Sequence, residues 1–332
     1  MDGARLPALD DRLLDEFQRD LPLVPRPFAA LARHLGTTEA EVLARLARLA
    51  AEGRVARVGA TCRPNTAGAS TLAALAIPEP RIEAVAALVG REPGVNHSYL
   101  REDRWNLWFV ATAPDRAGLA RSLARIGDGA GLPVLSLPLV RPFNIDLGFP
   151  LSGPRAPLGL DRPADLGALR EGDRPLMQAL SEGLALLPRP FAALGARLGR
   201  AEDEVIARIA ALARARILTR VGVIVRHRAL GWDANAMVVW ALPEPRIAAA
   251  GRALAGVPGV TLCYQRRVVP GVWDWPLFCM IHARSRDEAR AVLAAAEALP
   301  ELAGVPHKTL FSTRCFKQAG ALIQSGREGR AA

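Results

Sequence analysis

The sequence is poor in cysteine and nearly devoid of lysine. Its four cysteines are scattered and no two form a CxxC pair, which argues against a disulfide framework or a cysteine-based zinc site. Only Lys308 and Lys317 are lysines among the 43 basic residues of this 332-residue chain. Arginine therefore supplies nearly all of the positive charge, and its planar fork suits carboxylates and phosphates.

Long hydrophobic runs are also missing. No stretch approaches the ~20 apolar residues of a membrane helix, and the acidic N-terminal segment lacks the apolar core of a signal peptide. We therefore expect a soluble, cytoplasmic protein with no membrane partner. No paired-carboxylate, Ser/His/Asp or metal-ligand spacing stands out, so we expect no metal site.

What the chain does have is apolar content and positive charge. Half of its residues are hydrophobic, which is enough to build packed cores and excludes a disordered or fibrous chain. The net charge of +10 favours an anionic partner: nucleic acid, a membrane surface, or a polycarboxylate or phosphate ligand.

The chain contains an internal repeat with an offset of about 165 residues. Residues 24–36 recur at 187–199 with nine of thirteen positions identical. The repeat is too long for a solenoid and indicates a tandem duplication, for which a pseudo-two-fold pair is the natural assembly. Further matched positions are Gly59 with Gly222, Tyr99 with Tyr264, Arg101 with Arg266, and Arg141 with Arg314.

Each copy reads as three helices and a short β-wing, followed by the order β-α-β-β-α-β. We predict an α+β fold: a tandem repeat of a winged helix-turn-helix plus a ferredoxin-like βαββαβ domain, arranged as a pseudo-two-fold pair. This layout resembles that of Lrp/AsnC-type regulators. The expected segments are winged helix-turn-helix domains at 1–66 and 171–229, ferredoxin-like domains at 67–149 and 230–322, a linker at 150–170 and a tail at 323–332.

A basic chain with helix-turn-helix domains would ordinarily be interpreted as a DNA-binding protein. Base readout, however, uses Arg, Lys, Asn or Gln near the start of the recognition helix. Here the first turns read Thr37-Thr-Glu-Ala-Glu41 and Arg200-Ala-Glu-Asp-Glu204. Their carboxylates would face phosphates, so we expect no specific DNA partner. Glutamate is also a normal first-turn residue, which leaves a regulator as the alternative interpretation.

One strand of each ferredoxin-like domain carries an unusual polar face. His97, Tyr99 and Arg101 alternate along a predicted strand, so all three project from one side of the sheet. Imidazole, phenol and guanidinium together suit the binding and protonation of an anion, although a solvated strand face is the alternative. Copy two matches them with Leu262, Tyr264 and Arg266.

The two copies also differ just before their first ferredoxin-like strand. Copy two has Arg226-His227-Arg228 where copy one has Arg63-Pro64-Asn65. Each copy therefore keeps one candidate histidine that the other lacks. The copies are not interchangeable.

Long strings in the chain resemble the siroheme decarboxylase family. Gly94-Val-Asn-His-Ser-Tyr-Leu-Arg-Glu-Asp-Arg-Trp-Asn-Leu-Trp-Phe109 is similar to its D-type subunits, and so are residues 63–71. Residues 220–228, 235–240 and 310–317 are similar to its L-type subunits. The resemblance covers nearly the whole chain and implies a natural D–L fusion with the Lrp/AsnC-like architecture.

The resemblance implies an activity: conversion of siroheme to 12,18-didecarboxysiroheme with release of two CO₂ from acetate side chains, on the route to haem d1 or on the alternative route to haem. It implies siroheme and didecarboxysiroheme as ligands, an intramolecular pseudo-dimer, and homologous decarboxylase subunits as further candidate partners. No separate cofactor is expected, since the iron comes with the substrate and the macrocycle takes up the electrons.

The resemblance and the residue types together give the candidate site. His97 and His227 are the candidate acids or substrate-orienting groups, and Tyr99 and Tyr264 are candidate hydrogen-bond donors. The candidate carboxylate clamps are Arg63, Arg101, Arg226, Arg266 and Arg314. Whether one half or both hold a competent site stays open, as does the possibility of a haem-responsive regulator or a non-catalytic tetrapyrrole carrier.

Overall fold

The structure is a computed structural model that describes residues 9–145 and 163–324. Residues 150–162 of the expected linker and 325–332 of the expected tail lie outside the described residues. The chain divides into two compact units. One, the helix-turn-helix unit, contains residues 9–67 and 164–230 of both copies, and the other, the barrel unit, contains residues 68–145 and 231–324.

The elements follow the predicted order in both copies. The helices are α1 (Leu9–Glu16), α2 (Pro27–Leu35), α3 (Glu39–Ala51), α4 (Ile82–Arg91), α5 (Arg116–Ala130), α6 (Asp173–Glu182), α7 (Pro190–Leu198), α8 (Glu202–Arg214), α9 (Glu244–Ala255) and α10 (Arg286–Glu297). The strands are β1 (Val55–Cys62), β2 (Ala69–Leu75), β3 (Val95–Arg101), β4 (Leu107–Ala113), β5 (Leu135–Ile145), β6 (Leu218–Val225), β7 (Ala234–Trp240), β8 (Val260–Arg266), β9 (Leu277–Ala283) and β10 (His307–Gln318).

Local signals in the sequence set the helix boundaries. The Thr38 hydroxyl accepts a hydrogen bond from the Glu41 amide at 3.2 Å and caps α3, as expected from its position. Gly36 and Gly199 end α2 and α7 in the left-handed conformation, which glycine adopts without steric cost. These caps set the turn before the second helix of each helix-turn-helix.

In the helix-turn-helix unit, the strand predicted as a wing in each copy pairs with its counterpart from the other copy. β1 and β6 form a two-stranded antiparallel sheet in which Gly59 lies opposite Gly222. One strand per copy is sufficient to form this sheet, because the matching strand of the other copy is its hydrogen-bonded neighbour. The wing is therefore shared between the copies rather than formed within each.

The first helix of each copy packs on the strand of the other copy. A Cβ at Gly59 would lie 2.4 Å from the Leu180 carbonyl oxygen, and a Cβ at Gly222 would lie 2.5 Å from that of Phe17. The Leu184 amide donates to the Val58 carbonyl at 2.7 Å, and the Val223 amide donates to the Phe17 carbonyl at the same distance. The glycine of each Arg-Val-Gly repeat thus permits backbone contact between the copies.

In the barrel unit, eight strands close into a barrel in the order β10-β3-β4-β2-β5-β8-β9-β7. Closure depends on β5 and β10, because each of these long strands crosses into the other copy. β5 pairs with β2 at its start and with β8 from Leu139 onward. β10 pairs with β7 up to Phe311 and with β3 from Ser312.

Three hydrophobic clusters follow from this arrangement. Leu75 and Phe109 belong to the core between the sheet of copy one and its helices, and Val238 and Ile281 belong to the equivalent core of copy two. The third cluster fills part of the barrel interior and draws on both copies, with Trp108, Met237 and Phe278 among its members. Strand residues that alternate with the two outer cores therefore face one shared interior.

We predict that Gly59→Ala and Gly222→Ala each destabilise the protein by roughly 1–3 kcal/mol, because the added methyl meets a backbone oxygen that cannot move away. Thermal unfolding followed by circular dichroism measures the effect. Gly90→Ala in α4 is the matched control, since its Cβ would meet nothing within 4 Å. That variant should gain up to about 1 kcal/mol from helix propensity. Equal stabilities for all three variants would contradict this role of the repeat glycines.

Candidate active site

The polar face predicted for copy one points into the barrel. Tyr99 lies opposite Trp108 and His97 lies opposite Val110 in the β3–β4 ladder, and both partners belong to the interior cluster or pack against it. Arg101 follows on the same face and is 6% exposed. The common face of these three side chains is as predicted, and they face the interior shared by both copies.

The matching face of copy two points into the same interior. Tyr264 lies opposite Phe278 in the β8–β9 ladder, with the two rings stacked at 5.8 Å, and Leu262 lies opposite Met280. Arg266 continues this face, and its guanidinium carbon lies 4.6 Å from the centre of the Tyr264 ring. The barrel therefore brings the Tyr–Arg pairs of the two copies together.

Each arginine of these pairs reaches the last strand of the other copy. Arg101 donates from Nη1 to the Leu310 carbonyl on β10 at 3.1 Å, and Arg266 donates from Nη1 to the Leu137 carbonyl on β5 at 2.7 Å. Because these strands cross between copies, the crossing that closes the barrel also provides an acceptor for each guanidinium.

The electrostatics of the interior are dominated by positive charge. Burial lowers the pKa of Arg266, and the neighbouring Tyr264 raises it in part. Burial raises the pKa of Tyr264, while the charges of Arg266 and Arg101 lower it in part. Among the described residues, no carboxylate pairs with Arg266 and its Nε has no hydrogen-bond partner. A buried guanidinium in this state is a strong site for an anion.

One end of the barrel is closed by aromatic side chains. Trp273, from the β8–β9 connection, is 2% exposed and meets Trp108 edge-on with ring centres 5.0 Å apart. Lys308 pairs with Asp103 at 3.3 Å and lies over the rings of Trp273 and Trp275. The β3–β4 connection of copy one is five residues shorter, so copy two supplies this closure.

The interior also holds a polar group that the sequence analysis did not assign to the site. Asn235 and His282 face each other on β7 and β9 and are 2% and 4% exposed. Asn235 Oδ1 lies 3.4 Å from Arg101 Nη1, and Asn235 Nδ2 lies 2.9 Å from His282 Nε2. One signal in the sequence could have placed Asn235 in the interior: it alternates along its strand with residues that face outward.

Three of the candidate residues belong to the helix-turn-helix unit. His227 is buried in a short 3₁₀ turn directly after β6, and Arg226 is exposed, with its backbone amide bonded to the Arg54 carbonyl at 2.9 Å. Arg63 follows β1, and burial together with the nearby charge of Arg216 lowers its pKa. These residues are positively charged or polar neighbours of the β1–β6 sheet.

Arg314 is a candidate clamp of the barrel unit whose side chain does not face the interior. It is exposed, pairs with Glu83 near the start of α4, and lies over the ring of Phe316 at 4.6 Å. Phe316 packs against the outer core of copy one. The Arg314 side chain therefore lies on the helix side of the sheet. Alternation of residues along the strand does not predict this position, because β10 changes its partner strand along its length.

The cysteines have the character of core residues. Cys263 and Cys279 lie opposite each other in the β8–β9 ladder and are fully buried in the outer core of copy two. Burial raises the pKa of the Cys279 thiol to about 12, and burial also raises that of Cys263. Such thiols are poor nucleophiles.

Two searches restricted to the described residues were negative. Residues 9–145 and 163–324 contain no group of three or more His, Cys, Asp or Glu side chains arranged to hold a metal ion. Within the same ranges, no helix has the length and apolar content needed to cross a membrane.

Two family models match the chain, each in both copies. The AsnC-like ligand binding domain matches residues 67–144 and 229–317, and the Siroheme decarboxylase NirDL-like HTH domain matches residues 10–55 and 173–218. Both matches follow the duplication seen in the sequence.

Known proteins are similar over nearly the whole chain. The siroheme decarboxylase NirDL subunit of Paracoccus denitrificans (strain Pd 1222) is 75% identical over 315 residues, which are 95% of this chain and 97% of that protein. The siroheme decarboxylase NirD subunit of Stutzerimonas stutzeri is 51% identical over 147 residues, 44% of this chain and 97% of that protein. A crystal structure of the siroheme decarboxylase NirDL with an iron-uroporphyrin III analogue matches with a TM-score of 0.67 at 27% identity, covering 96% of this chain and 95% of that one.

The environment of Tyr264 generates a prediction that a titration can test. The chain has only two tyrosines, so Tyr99→Phe leaves Tyr264 as the sole phenol. Its ionisation, followed by tyrosinate absorbance, should have a midpoint above the ordinary value of ~10. Since the pKa is raised in the folded state, the associated stability is present below about pH 10 and is lost as the pH rises toward the folded-state pKa. Unfolding the same variant should return the midpoint to ~10, and a native midpoint at or below ~10 would contradict the burial described here.

Proposed function

This chain belongs to the siroheme decarboxylase NirDL family, and we propose that it is a carboxy-lyase that converts siroheme to 12,18-didecarboxysiroheme. The reaction removes CO₂ from two acetate side chains of the macrocycle and belongs to the route toward haem d1. The 75% identity over nearly the full length of a NirDL subunit supports this assignment. The two halves correspond to D-type and L-type subunits joined in one chain.

The structural observation that carries the proposal is the pair of guanidiniums in the barrel interior. The guanidinium carbon of Arg266 lies 4.6 Å from the centre of the Tyr264 ring, and Arg101 reaches Asn235 and the Leu310 carbonyl in the same interior. Arg266 has no carboxylate partner among the described residues. Burying a guanidinium such as that of Arg266 without a counter-ion is costly. A ligand with several carboxylates, such as siroheme, would supply the missing negative charge.

We further propose that the two halves build one shared site. The Tyr99–Arg101 pair of copy one and the Tyr264–Arg266 pair of copy two face the same interior, so a ligand bound by one pair lies beside the other. A single site could then perform both decarboxylations on one bound macrocycle. The strand crossing supports this proposal because it makes the interior common to both copies.

The reaction requires the protein to bind the substrate, to orient its acetate groups and to supply a proton. Each acetate CH₂–COO⁻ loses CO₂ when its C–C bond breaks, and the electron pair is delocalised into the macrocycle. A proton then adds to the methylene carbon and leaves a methyl group. We propose that no separate cofactor is needed, because the substrate is its own electron sink. An arginine fork can hold the carboxylate so that the breaking bond stands out of the macrocycle plane.

Within this scheme the candidate residues have distinct roles. Arg101 and Arg266 would bind substrate carboxylates in the barrel interior, while Arg63 and Arg226, in the helix-turn-helix unit, stay candidate clamps. Tyr264, whose pKa is raised, stays protonated at neutral pH and can donate a hydrogen bond, as can Tyr99. His97 and His227 are the proposed proton donors. The exposed Arg314, paired with Glu83, is the weakest candidate clamp.

The function predicts that anaerobic incubation of the purified chain with siroheme yields a product lighter by two CO₂, detected by mass spectrometry. Arg266→Ala should weaken siroheme binding by ~1.5–3 kcal/mol, because it removes a charge-assisted contact. Arg266→Lys should recover only part of this, since a point charge lacks the fork. Absorbance titration measures the affinities.

Arg290→Ala is the matched control for this experiment. Arg290 is an exposed arginine of the same unit that pairs with Asp287 along α10, so its loss should leave siroheme affinity unchanged. Equal affinities for the Arg266→Ala and Arg290→Ala variants would show that the interior guanidinium does not bind the substrate. Unchanged siroheme after incubation with the wild-type chain would refute the function itself.

The difference between the copies predicts unequal roles for the two histidines. His97 has Leu262 as its counterpart, and His227 has Pro64. We expect His97→Ala and His227→Ala to differ, with at least one lowering turnover by ~10²-fold or more, the usual scale for a lost general acid. The more damaging variant should stop all CO₂ release or accumulate a monodecarboxylated product. Wild-type rates in both variants would leave Tyr99, Tyr264 or water as the proton source.

We also propose that the chain has no specific DNA partner. Glu39 and Glu202, in the first turns of α3 and α8, are each paired with an arginine at the start of the preceding helix, Arg26 and Arg189. Those arginines are thereby directed to carboxylates of the helix rather than to a phosphate. We expect weak, sequence-independent binding in a footprinting assay at ~150 mM salt; a nanomolar footprint at one site would favour a regulator instead.

Homologous subunits are the remaining candidate partners. Relatives such as the NirD subunit of Stutzerimonas stutzeri correspond to one half of this chain. We propose that the two halves of this chain pair with each other in the way that separate D-type and L-type subunits would need to pair. Each half completes the barrel of the other.

A further inference from the structure

A continuous chain of hydrogen bonds runs from Arg101 into copy two. Arg101 Nη1 lies 3.4 Å from Asn235 Oδ1, and Asn235 Nδ2 lies 2.9 Å from His282 Nε2. His282 Nδ1 lies 2.7 Å from the Thr261 hydroxyl, which in turn lies 3.3 Å from the Met280 carbonyl oxygen. Asn235 and His282 are both almost fully buried.

The direction of every bond in this chain follows from its first donor. A guanidinium can only donate, so Asn235 accepts with Oδ1 and must donate to His282 with Nδ2. His282 Nε2 is then the acceptor, and its proton resides on Nδ1, which donates to Thr261. The Thr261 hydroxyl in turn donates to the Met280 carbonyl. The chain therefore fixes the amide orientation of Asn235 and a neutral tautomer of His282.

The same positions in copy one carry a serine and a threonine instead of the amide and the imidazole. Ser70 and Thr112 face each other on β2 and β4, as Asn235 and His282 do on β7 and β9. The Thr112 hydroxyl donates to the Gly94 carbonyl at 3.1 Å and accepts from the Leu322 amide at 2.9 Å. Arg266 is held by the Leu137 carbonyl and by contact with Tyr264. Both copies thus keep their arginine, but Arg101, unlike Arg266, contacts an amide that is itself hydrogen-bonded to a histidine.

We propose that Asn235 and His282 are positioning residues that hold Arg101 in a fixed orientation for one substrate carboxylate. The inference rests on the proposed function and adds a division of labour: Arg101 is pre-organised, and Arg266 is less constrained. The two acetates of a bound siroheme would then not be equivalent, and the acetate held by Arg101 would depend on the Asn235–His282 pair for its reaction.

The physical reason is the geometry of the guanidinium. A bidentate contact requires the plane of the fork to match that of the carboxylate, and a small misplacement is enough to lose much of the rate. The Leu310 carbonyl is one acceptor for the fork, and the Asn235 amide adds a second fixed acceptor. His282 matters because it prevents the Asn235 amide from turning its NH₂ group toward Arg101.

The test compares His282→Leu with His282→Gln in steady-state turnover of siroheme with product analysis by mass spectrometry. Leucine removes both polar atoms, and we expect kcat for one decarboxylation to fall by ~10-fold or more, so that a monodecarboxylated product accumulates. Glutamine can present its Oε1 near the position of Nε2 and should restore most of the doubly decarboxylated product. KM for siroheme should change less than kcat, because Arg101 still carries its charge.

Asn235→Ala provides a second route to the same result if His282→Leu fails to fold. It should also accumulate the monodecarboxylated product, whereas Ser70→Ala, at the matching position of copy one, should behave like the wild type. Circular dichroism verifies the fold of each variant.

The outcomes separate the inference from the function on which it rests. A wild-type chain that leaves siroheme unchanged overturns both. With an active wild type, a folded His282→Leu or Asn235→Ala variant with unchanged kcat and products overturns the positioning role. Equal impairment by His282→Leu and His282→Gln would also overturn it, since the loss would then not depend on the acceptor at Nε2.

Discussion

The crossing of β5 and β10 between the two copies is the constraint on which the rest of the molecule depends. A single ferredoxin-like copy would leave open sheet edges, whereas here each last strand satisfies the edge of the other copy and the eight strands close into a barrel. Closure makes the inner face of both sheets one interior. It also supplies the carbonyls of Leu137 and Leu310 that hold the two interior arginines.

Within this nearly symmetric frame, the two copies have diverged in what they place inside. Copy two contributes Trp273 to the aromatic closure of one end of the barrel and Asn235 and His282 to the polar network. Copy one contributes His97. A duplicated chain can divide tasks in this way because every interior side chain is available to a ligand bound between the halves, so neither copy needs to retain a complete set of functional groups.

The sequence was sufficient to predict the repeat, the order of helices and strands, and the shared face of His97, Tyr99 and Arg101. Alternation in a strand reveals faces but not neighbours, which is why the exchange of β5 and β10 and the pairing of β1 with β6 were not foreseen. The same limit explains why Arg314, grouped with the clamps from the family resemblance and its residue type, lies beside Glu83 on the helix side. The Arg101–Asn235 contact spans 134 positions and leaves no trace in local spacing.

The central claim is that both halves form one site for one macrocycle. Native mass spectrometry of the wild-type chain, titrated anaerobically with siroheme, measures this directly as the number of ligands bound per chain at saturation. The account predicts one siroheme for each 35.5 kDa chain. Two sirohemes per chain at saturation would mean that each half binds its own substrate, and would contradict the shared interior as the site of both decarboxylations.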